Sequence, residues 1–499
     1  MLQAQVLGYD PSTGLQEWLP PGTNQSPMAL KAKATSDPDL PTLKESLTGP
    51  YSEEFWAAMD SEISSLENKG TWEVILRSSI PEGTKVIPGT WVQRIKRLAS
   101  GELSKFKSRW CCCGDLQAYE GVPYSPLVGW PTVRTGLLMA ATHGWKSRQV
   151  DFTLAFCQSP QPEDNPLYME LPQHLQPAGH EGKDVVLRMC KSIYGQVDSP
   201  KLFYEHLSRG MLELGFQPSQ SDPCLFLHQT EKIMVLNCCD DQIWLSPDND
   251  PMELHVLKLK NLGCDLELES QGDIYSFLGI EFDAVGNHIH LSQKGLIDKA
   301  INCTGMGNAE GKDTPAATNP LGSDKGGEAF SEDWNCAAAV GMLLCLSSNT
   351  RPDVQFAVHQ VCQFSHSPWK SHGQAVKRII RYLINTPTQG ILFEPKPEEG
   401  LDCYVDAGFC GLHGYEDEQD PVSVKSQTGF ILPLFGCPVL WQSKLQTDIT
   451  LSSAAAECVA FSMAMRELLP LRVLLKEMSD KNESAPHCSK SCPLHCFRR

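Results

Sequence analysis

Residues 233–245 read Ile233-Met234-Val235-Leu236-Asn237-Cys238-Cys239-Asp240-Asp241-Gln242-Ile243-Trp244-Leu245, an apolar run, a polar break and a second apolar run. That pattern predicts strand, tight turn, strand. Two adjacent carboxylates between apolar strands repel each other, and a divalent cation makes the arrangement favourable. On the pair alone, a surface turn is the alternative. A second stretch, Gln149-Val150-Asp151-Phe152-Thr153-Leu154-Ala155-Phe156, sets one carboxylate in an otherwise apolar strand. A buried carboxylate without a partner is strongly unfavourable, so Asp151 needs one. Three carboxylates converging from a strand and a hairpin turn suit two Mg2+ ions about 4 Å apart. One ion would lower the pKa of a primer 3′-hydroxyl, and the other would hold a triphosphate and its leaving pyrophosphate. That is in-line nucleotidyl transfer.

The rest of the composition narrows the class. The chain has 499 residues, 42 Lys+Arg against 60 Asp+Glu and a formal charge of −18, with 41% hydrophobic and 20% charged residues. This is a globular composition with room for two to four domains. The charge speaks against coating nucleic acid by bulk attraction, although a local basic surface is compatible with it. No apolar run approaches the roughly 18 residues of a membrane span, and Gly429–Trp441 is broken by Pro433 and Pro438. No membrane association is expected. Met1–Asp10 lacks the pattern of a secretory signal, so the 20 cysteines are expected to be reduced thiols inside a cell, not a disulfide framework.

Along the chain, residues 1–45 lack periodicity and are expected to form a disordered arm. Order is expected to begin at Ser52, as an N-cap with Glu53 and Glu54 in the first turn. Phe55, Trp56, Met59, Ile63 and Leu66 then recur at helical spacing, and Gly70 closes the helix. Strands follow at Trp91–Leu98 and Glu102–Trp110, joined by a turn at Ala99-Ser100-Gly101. Alternation puts Lys105, Lys107 and Arg109 on one face and Phe106 on the other. Lys85–Arg109 holds seven basic residues and one acid, Glu102. A solvated face or a phosphate-binding surface would both use such a run. Ser199-Pro200 is expected to open a helix that stops at Gly215. Asp333–Thr386 is mostly helical, with Lys377, Arg378 and Arg381 beside an apolar face of Val376, Ile379, Ile380 and Leu383. These bases could track a nucleic-acid backbone or face solvent. Strands are expected at Leu401–Val405 and Thr428–Leu434, and a helix at Ser453–Met478.

In this order the motifs resemble the reverse transcriptases of copia-type long-terminal-repeat retrotransposons. The resemblance runs from about Leu40 to about Met478. It is carried by Glu54–Trp56, Thr71-Trp72, Lys107-Ser108-Arg109, Gln149–Phe156, Leu167-Tyr168-Met169-Glu170 and Ser192-Ile193-Tyr194-Gly195. It continues through Gly215-Phe216, Asp222–Phe226, Asp240-Asp241, Phe277-Leu278-Gly279-Ile280, Thr350-Arg351-Pro352-Asp353 and Ala375–Thr386. The resemblance implies an α+β right-hand polymerase fold of fingers, palm and thumb, with a helical connection and a truncated ribonuclease H-like α/β domain. The implied divisions are a disordered arm at 1–45, fingers and palm at 46–300, thumb and connection at 301–395, partial ribonuclease H at 396–478 and a non-homologous tail at 479–499.

The resemblance implies that Asp151 and Asp240 bind two Mg2+ ions, with Mn2+ as a possible substitute, and that Asp241 supports the second site. Lys107 and Arg109 would neutralise the incoming triphosphate, and Tyr194-Gly195 would line the nucleotide pocket. Phe156, five residues after Asp151, would be the steric gate against a ribose 2′-hydroxyl. An ordinary core phenylalanine is its alternative. The implied partners are an RNA template with a DNA primer and deoxynucleoside triphosphates. The implied location is intracellular, cytoplasmic in particles or nuclear, and not secreted. Tyr404-Val405-Asp406-Ala407-Gly408 and Leu451–Glu457 resemble the family's ribonuclease H motifs, so Asp406 and Glu457 match its first two acids. The third should follow on another strand. Ser479-Asp480-Lys481-Asn482-Glu483-Ser484 and the residues up to Arg499 contain no further strand-like run, so neither Asp480 nor Glu483 is assigned and the domain reads as truncated.

Several family positions differ. Cys238 stands where a tyrosine is usual, and Cys111-Cys112-Cys113-Gly114 lacks the arginine expected before the glycine. Gly121–Pro126 is about four residues short, and Gln196-Val197-Asp198 replaces the usual Leu-Lys-Gln. His487, Cys488, Cys492, His495 and Cys496 match no common zinc spacing. Two functions fit: an RNA-directed DNA polymerase, or an inactive or co-opted element remnant that at most binds nucleic acid.

Overall fold

The hairpin at 233–245 forms the middle of the largest sheet. The computed structural model describes residues 39–97, 103–172, 175, 180, 182–261, 266–286, 288–415, 419–481 and 495–498. The fold is mixed α+β. Strands β4 (Lys146–Phe152), β7 (Phe216–Pro218), β8 (Leu225–His228), β9 (Met234–Cys238), β10 (Asp241–Ser246) and β11 (Leu268–Gly272) form a sheet in the order β11-β4-β10-β9-β8-β7. Its central strands are apolar on both faces because both are covered. Val150, Phe152 and Trp244 pack with Phe203, Leu207 and Met211 of α4 (Ser199–Glu213) and with Met252 and Val256 of α5 (Asn249–Asn261). On the other face, Leu236, Ile243 and Leu245 pack with Val133, Leu137 and Leu138 of α3 (Trp130–His143).

Order begins earlier than Ser52. Thr42 and Glu45 form a capping box that starts α1 (Leu43–Thr48), so the expected arm ends within the sequence assigned to it. Residues 1–38 lie outside the described residues, as does the turn at Ala99–Gly101. Ser52 is the first residue of α2 (Ser52–Asn68) and Tyr51 is its N-cap. Likewise Asp198, not Ser199, caps α4. Helix α2 packs Met59 and Leu66 against Trp91 and Trp110 of a ribbon formed by β2 (Gly89–Arg97) and β3 (Leu103–Cys112). A three-stranded sheet, β1 (Trp72–Leu76), β6 (Val185–Met189) and β5 (Tyr168–Met169), adjoins the same core.

Four further strands, β12 (Ser276–Phe277), β13 (Ile280–Val285), β14 (His288–Ser292) and β15 (Ile391–Phe393), form one sheet. Between β14 and β15 the chain builds a helical cluster of α6 (Lys294–Cys303), α7 (Cys336–Asn349), α8 (Gln355–Cys362) and α9 (Lys370–Asn385). The bases of α9 are occupied within the chain. Lys377 pairs with Glu332 at 2.7 Å, Arg378 donates to Thr314, and Arg381 donates to the Glu310 carbonyl.

The last sheet has the order β18 (Cys437–Leu445), β17 (Gln427–Leu434), β16 (Asp402–Gly408) and β19 (His495–Arg498), with α10 (Ser453–Lys481) against it. Strand β19 corrects the expectation that no strand follows α10. It runs parallel to β16, pairing His495–Arg498 with Asp402–Val405. A parallel partner needs a crossover, and α10 supplies it. The residues His487, Cys488 and Cys492 lie outside the described residues.

The buried Arg134 of α3 joins three of these regions. Its guanidinium donates to the carbonyls of Val439 on β18 (3.0 Å) and of Ser348 and Asn349 (2.9 Å) at the end of α7, and it lies 4.1 Å from the centre of the Trp441 ring. A cation at a helix C-terminus is favourable because the last carbonyls lack partners.

Candidate active site

The strand registers bring the three aspartates to one end of the six-stranded sheet. Asp241 pairs with Asp151 on one side and with Cys238 on the other, while Asp151 pairs with Glu269 of β11. Cross-strand partners share a face. Glu269, Asp151, Asp241 and Cys238 therefore form a row across four strands. Cys239 and Asp240 make the turn, with Cys239 at a φ of 53°, and the Asp240 carbonyl accepts the Phe152 N–H at 2.8 Å. On the opposite face, Gln242 donates to Asn237 (3.0 Å) and accepts from the Trp244 indole (2.9 Å), and these buried groups brace the hairpin.

Like charges crowd the row. Burial, then Asp240 and Asp151, push the Asp241 carboxyl up to about 6. Burial, then Asp240 and Glu269, raise Asp151, while Lys107 and Lys96 pull it back. The basic ribbon thus faces the acidic row. Its register pairs Arg94 with Lys107 and Lys96 with Lys105, so Arg94 and Lys96 join Lys105, Lys107 and Arg109 on one face. Burial, then Arg109 and Lys96, push Lys107 down to about 8. Glu62 of α2 lies behind these bases, its carboxyl raised by burial and opposed by Lys107 and Arg109.

The remaining expected residues gather beside the ribbon. Arg109 sits over the Tyr194 ring at 4.5 Å, and its buried Nε has no hydrogen-bond partner. The half-buried Phe156 meets Tyr194 edge-on at 5.3 Å and Phe203 at 6.2 Å. Its 3-10 turn, Ala155–Gln158, starts from Leu154 at a φ of 52°, a strained position for a branched side chain. Gly195 has a φ of 84°, and a Cβ there would lie 2.3 Å from the Cys112 carbonyl oxygen. No other residue fits where this loop crosses the ribbon.

The sequence reading missed Lys96, Arg94, Glu269 and Glu62. Lys96 and Arg94 belong to the basic run, and alternation across the hairpin was the available signal. Glu269 had none, because its place depends on a long-range pairing.

Asp406 and Glu457 are not brought into this row. Cys403 and Val405 of β16 are buried in the same cluster as Ala460 and Ala464 of α10, so alternation turns the exposed Asp406 to the opposite face with Tyr404. There it borders an open groove with Phe356, Trp441 and Gln442. Glu457 rides on α10. The added strand, His495-Cys496-Phe497-Arg498, contains no carboxylate.

Among the described residues, His228, Glu231 and His255 are the one group of three whose ligand atoms all lie within 4.8 Å. The Nδ1 atom of His228 accepts the Glu231 N–H at 2.9 Å, and its Nε2 lies 3.0 Å from the Leu214 carbonyl. Both ring nitrogens are used, so His228 braces the β8–β9 hairpin and has no lone pair left for a metal.

Residues 69–318 match the family described as reverse transcriptase (RNA-dependent DNA polymerase). The chain is 31% identical over 458 residues to the retrovirus-related Pol polyprotein from transposon RE1 of Arabidopsis thaliana, covering 90% of this chain and 30% of that protein. It is 28% identical over 477 residues to the corresponding polyprotein from transposon TNT 1-94 of Nicotiana tabacum, covering 92% of this chain and 34% of that one. The chain thus spans about a third of the length of these relatives. A solved foamy viral protease-reverse transcriptase in complex with double-stranded DNA aligns with 83% of this chain and 60% of its own, with a TM-score of 0.44 and 12% identity. The family match spans half of the chain and includes the aspartate row, the basic ribbon and the Phe156–Tyr194 contact, and the chain belongs to the copia-type retrotransposon reverse transcriptase family.

Proposed function

We propose that the chain is an RNA-directed DNA polymerase that adds deoxynucleotides to a primer 3′-hydroxyl on an RNA template. The pairing of Asp151 with Asp241, beside the Asp240 turn and facing the basic ribbon, carries this reading. The six-stranded sheet would be the palm and the β2–β3 ribbon part of the fingers. The helices α6–α9 would form thumb and connection, and residues 396–481 together with strand β19 a partial ribonuclease H-like domain.

The donor set fits Mg2+. All three candidate ligands are hard carboxylate oxygens, and burial, with the repulsion of Asp240 and Asp151 added to it, holds Asp241 at about 6, a cost that a dication relieves. Two divalent ions held by Asp151, Asp240 and Asp241 would supply activation of the 3′-hydroxyl and neutralisation of the leaving pyrophosphate. Lys107 and Arg109 would hold the triphosphate through charge-assisted hydrogen bonds. Tyr194 and Gly195 would shape the pocket wall, and the Phe156 ring would exclude a 2′-hydroxyl. Primer extension on an RNA template tests the assignment.

Three consequences follow. Phe156→Ala is expected to raise ribonucleotide incorporation relative to deoxynucleotide incorporation by about tenfold or more, a difference of about 1.4 kcal/mol. Unchanged sugar selectivity would remove Phe156 from the gate. A carboxyl whose folded pKa exceeds its unfolded value favours folding when protonated. In metal-free protein the contribution of Asp241 to stability is therefore expected to fall as pH rises from the ordinary carboxylate range through about 6, read as the difference between the parent and Asp241→Asn. Mg2+ should raise the melting temperature at pH 7.5 but not at pH 4.5, and Asp241→Asn should raise it at pH 7.5 without metal. An Mg2+ effect equal at both pH values would contradict the carboxylate site. Finally, a labelled RNA–DNA hybrid should remain uncut. Asp406 is exposed on the face of β16 opposite the buried Cys403 and Val405 that pack with α10, and β19 carries no acid.

The alternative, an inactive or co-opted remnant that at most binds nucleic acid, is favoured by Cys238, which replaces the aromatic ring expected to pack on a primer terminus. Such a protein would show no extension.

A further inference from the structure

The mechanism leaves one chemical feature at the heart of the site unused. Cys238 ends β9 on the same face as its partner Asp241, and Cys239 follows as the first turn residue. In an extended strand, consecutive side chains point to opposite faces. Cys111 and Cys112 of β3 obey that rule, one half-buried and the other buried. At the turn the rule no longer applies. The positive φ of Cys239 bends the backbone between two cysteines that adjoin in sequence, and each thiol acts on the other, Cys238 held up and Cys239 held down. Cys239 is half-buried and gives access to the pair, while Cys238 is 8% exposed and points toward the carboxylates.

A disulfide is a poor product here. Neighbouring Cα atoms across a trans peptide are about 3.8 Å apart, below the roughly 4.4–6.8 Å of an ordinary disulfide. A single atom inserted between the sulfurs enlarges the ring and removes the conflict. We propose that Cys238 and Cys239 form a vicinal-dithiol site for trivalent thiophiles of the arsenite class, and that filling this site closes the adjoining carboxylate row. With an aryl arsenoxide the step is a condensation. Two S–H bonds break, two As–S bonds form, and the two protons leave with the arsenic-bound oxygen as one water. Arsenic stays trivalent, so no oxidant or reductant is required. The blocking effect rests on the polymerase reading, whereas the binding does not.

The test uses the full chain and phenylarsine oxide. At one equivalent, intact mass should show one adduct, mapped by peptide mass to the segment containing Cys238 and Cys239. The adduct should survive excess monothiol and be removed by a dithiol. Cys239→Ser should lose it and Cys111→Ser should keep it. Peptide mapping of the unsubstituted chain decides the location even if a variant fails to fold. Primer extension should fall by at least about tenfold as the adduct fills, as expected when access to a metal-binding centre is blocked, and should recover with the dithiol. An adduct on Cys224 or on Cys111–Cys113 instead, or one retained by Cys239→Ser, would overturn the site. Full labelling with undiminished extension would overturn the closure. A chain inactive before treatment but labelled at Cys238–Cys239 would keep the dithiol site and discard the polymerase reading.

Discussion

Asp240→Asn is expected to abolish primer extension, lowering it by roughly 10²–10³-fold or more, the scale of losing a preorganised charge at a reacting centre. The substitution isolates chemistry from folding. The structural contact made by Asp240 is through its carbonyl, which accepts the Phe152 N–H at 2.8 Å, and asparagine keeps that carbonyl. The hairpin should therefore close as before. Asp240 also contributes to the raised pKa values of Asp151 and Asp241, so the metal-free variant should melt no lower than the parent at neutral pH. Equal melting with lost extension assigns Asp240 to the reaction. A variant that extends primers at a comparable rate would place the chemistry elsewhere.

The second large effect concerns stability. Arg134→Ala is expected to lower the free energy of unfolding by about 3 kcal/mol or more, because each buried acceptor left unmatched costs about 1–3 kcal/mol. The guanidinium serves carbonyls of Val439, Ser348 and Asn349, and no acidic group among the described residues acts on it. Burial lowers its pKa to about 9, so the hydrogen bonds and the Trp441 ring must offset desolvation. Arg134→Lys supplies a charge without the planar fork and should recover only part of the loss. Denaturant unfolding followed by Trp fluorescence measures both. An alanine variant within about 0.5 kcal/mol of the parent, the range of ordinary surface substitutions, would show that this junction does not hold the regions together.

Much of the site was legible because it rests on short-range patterns. The Asp240-Asp241 hairpin needed only two apolar runs and a polar break. The shared face of Lys105, Lys107 and Arg109 followed from alternation. What escaped was set by distant pairings. Glu269 joins Asp151 through β11, about 120 residues away in sequence. Strands β14 and β15 pair across the whole helical cluster, a closure that no local window contains. Four residues, His495–Arg498, are too few for periodicity, and β19 exists through its parallel partner. Helix α1 was readable in principle, since Thr42 and Glu45 have the spacing of a capping box. Its six residues were submerged in a polar context. Asp406 shows the opposite case. Its motif was plain in the sequence, yet strand alternation separates it from the face that α10 covers.

The most direct test is extension of a labelled DNA primer on an RNA template by the purified chain with Mg2+ and the four deoxynucleoside triphosphates. The expected result is a ladder of products growing one nucleotide at a time and dependent on the divalent ion. No product with either Mg2+ or Mn2+, from protein shown to be folded by its melting transition, would contradict the polymerase assignment.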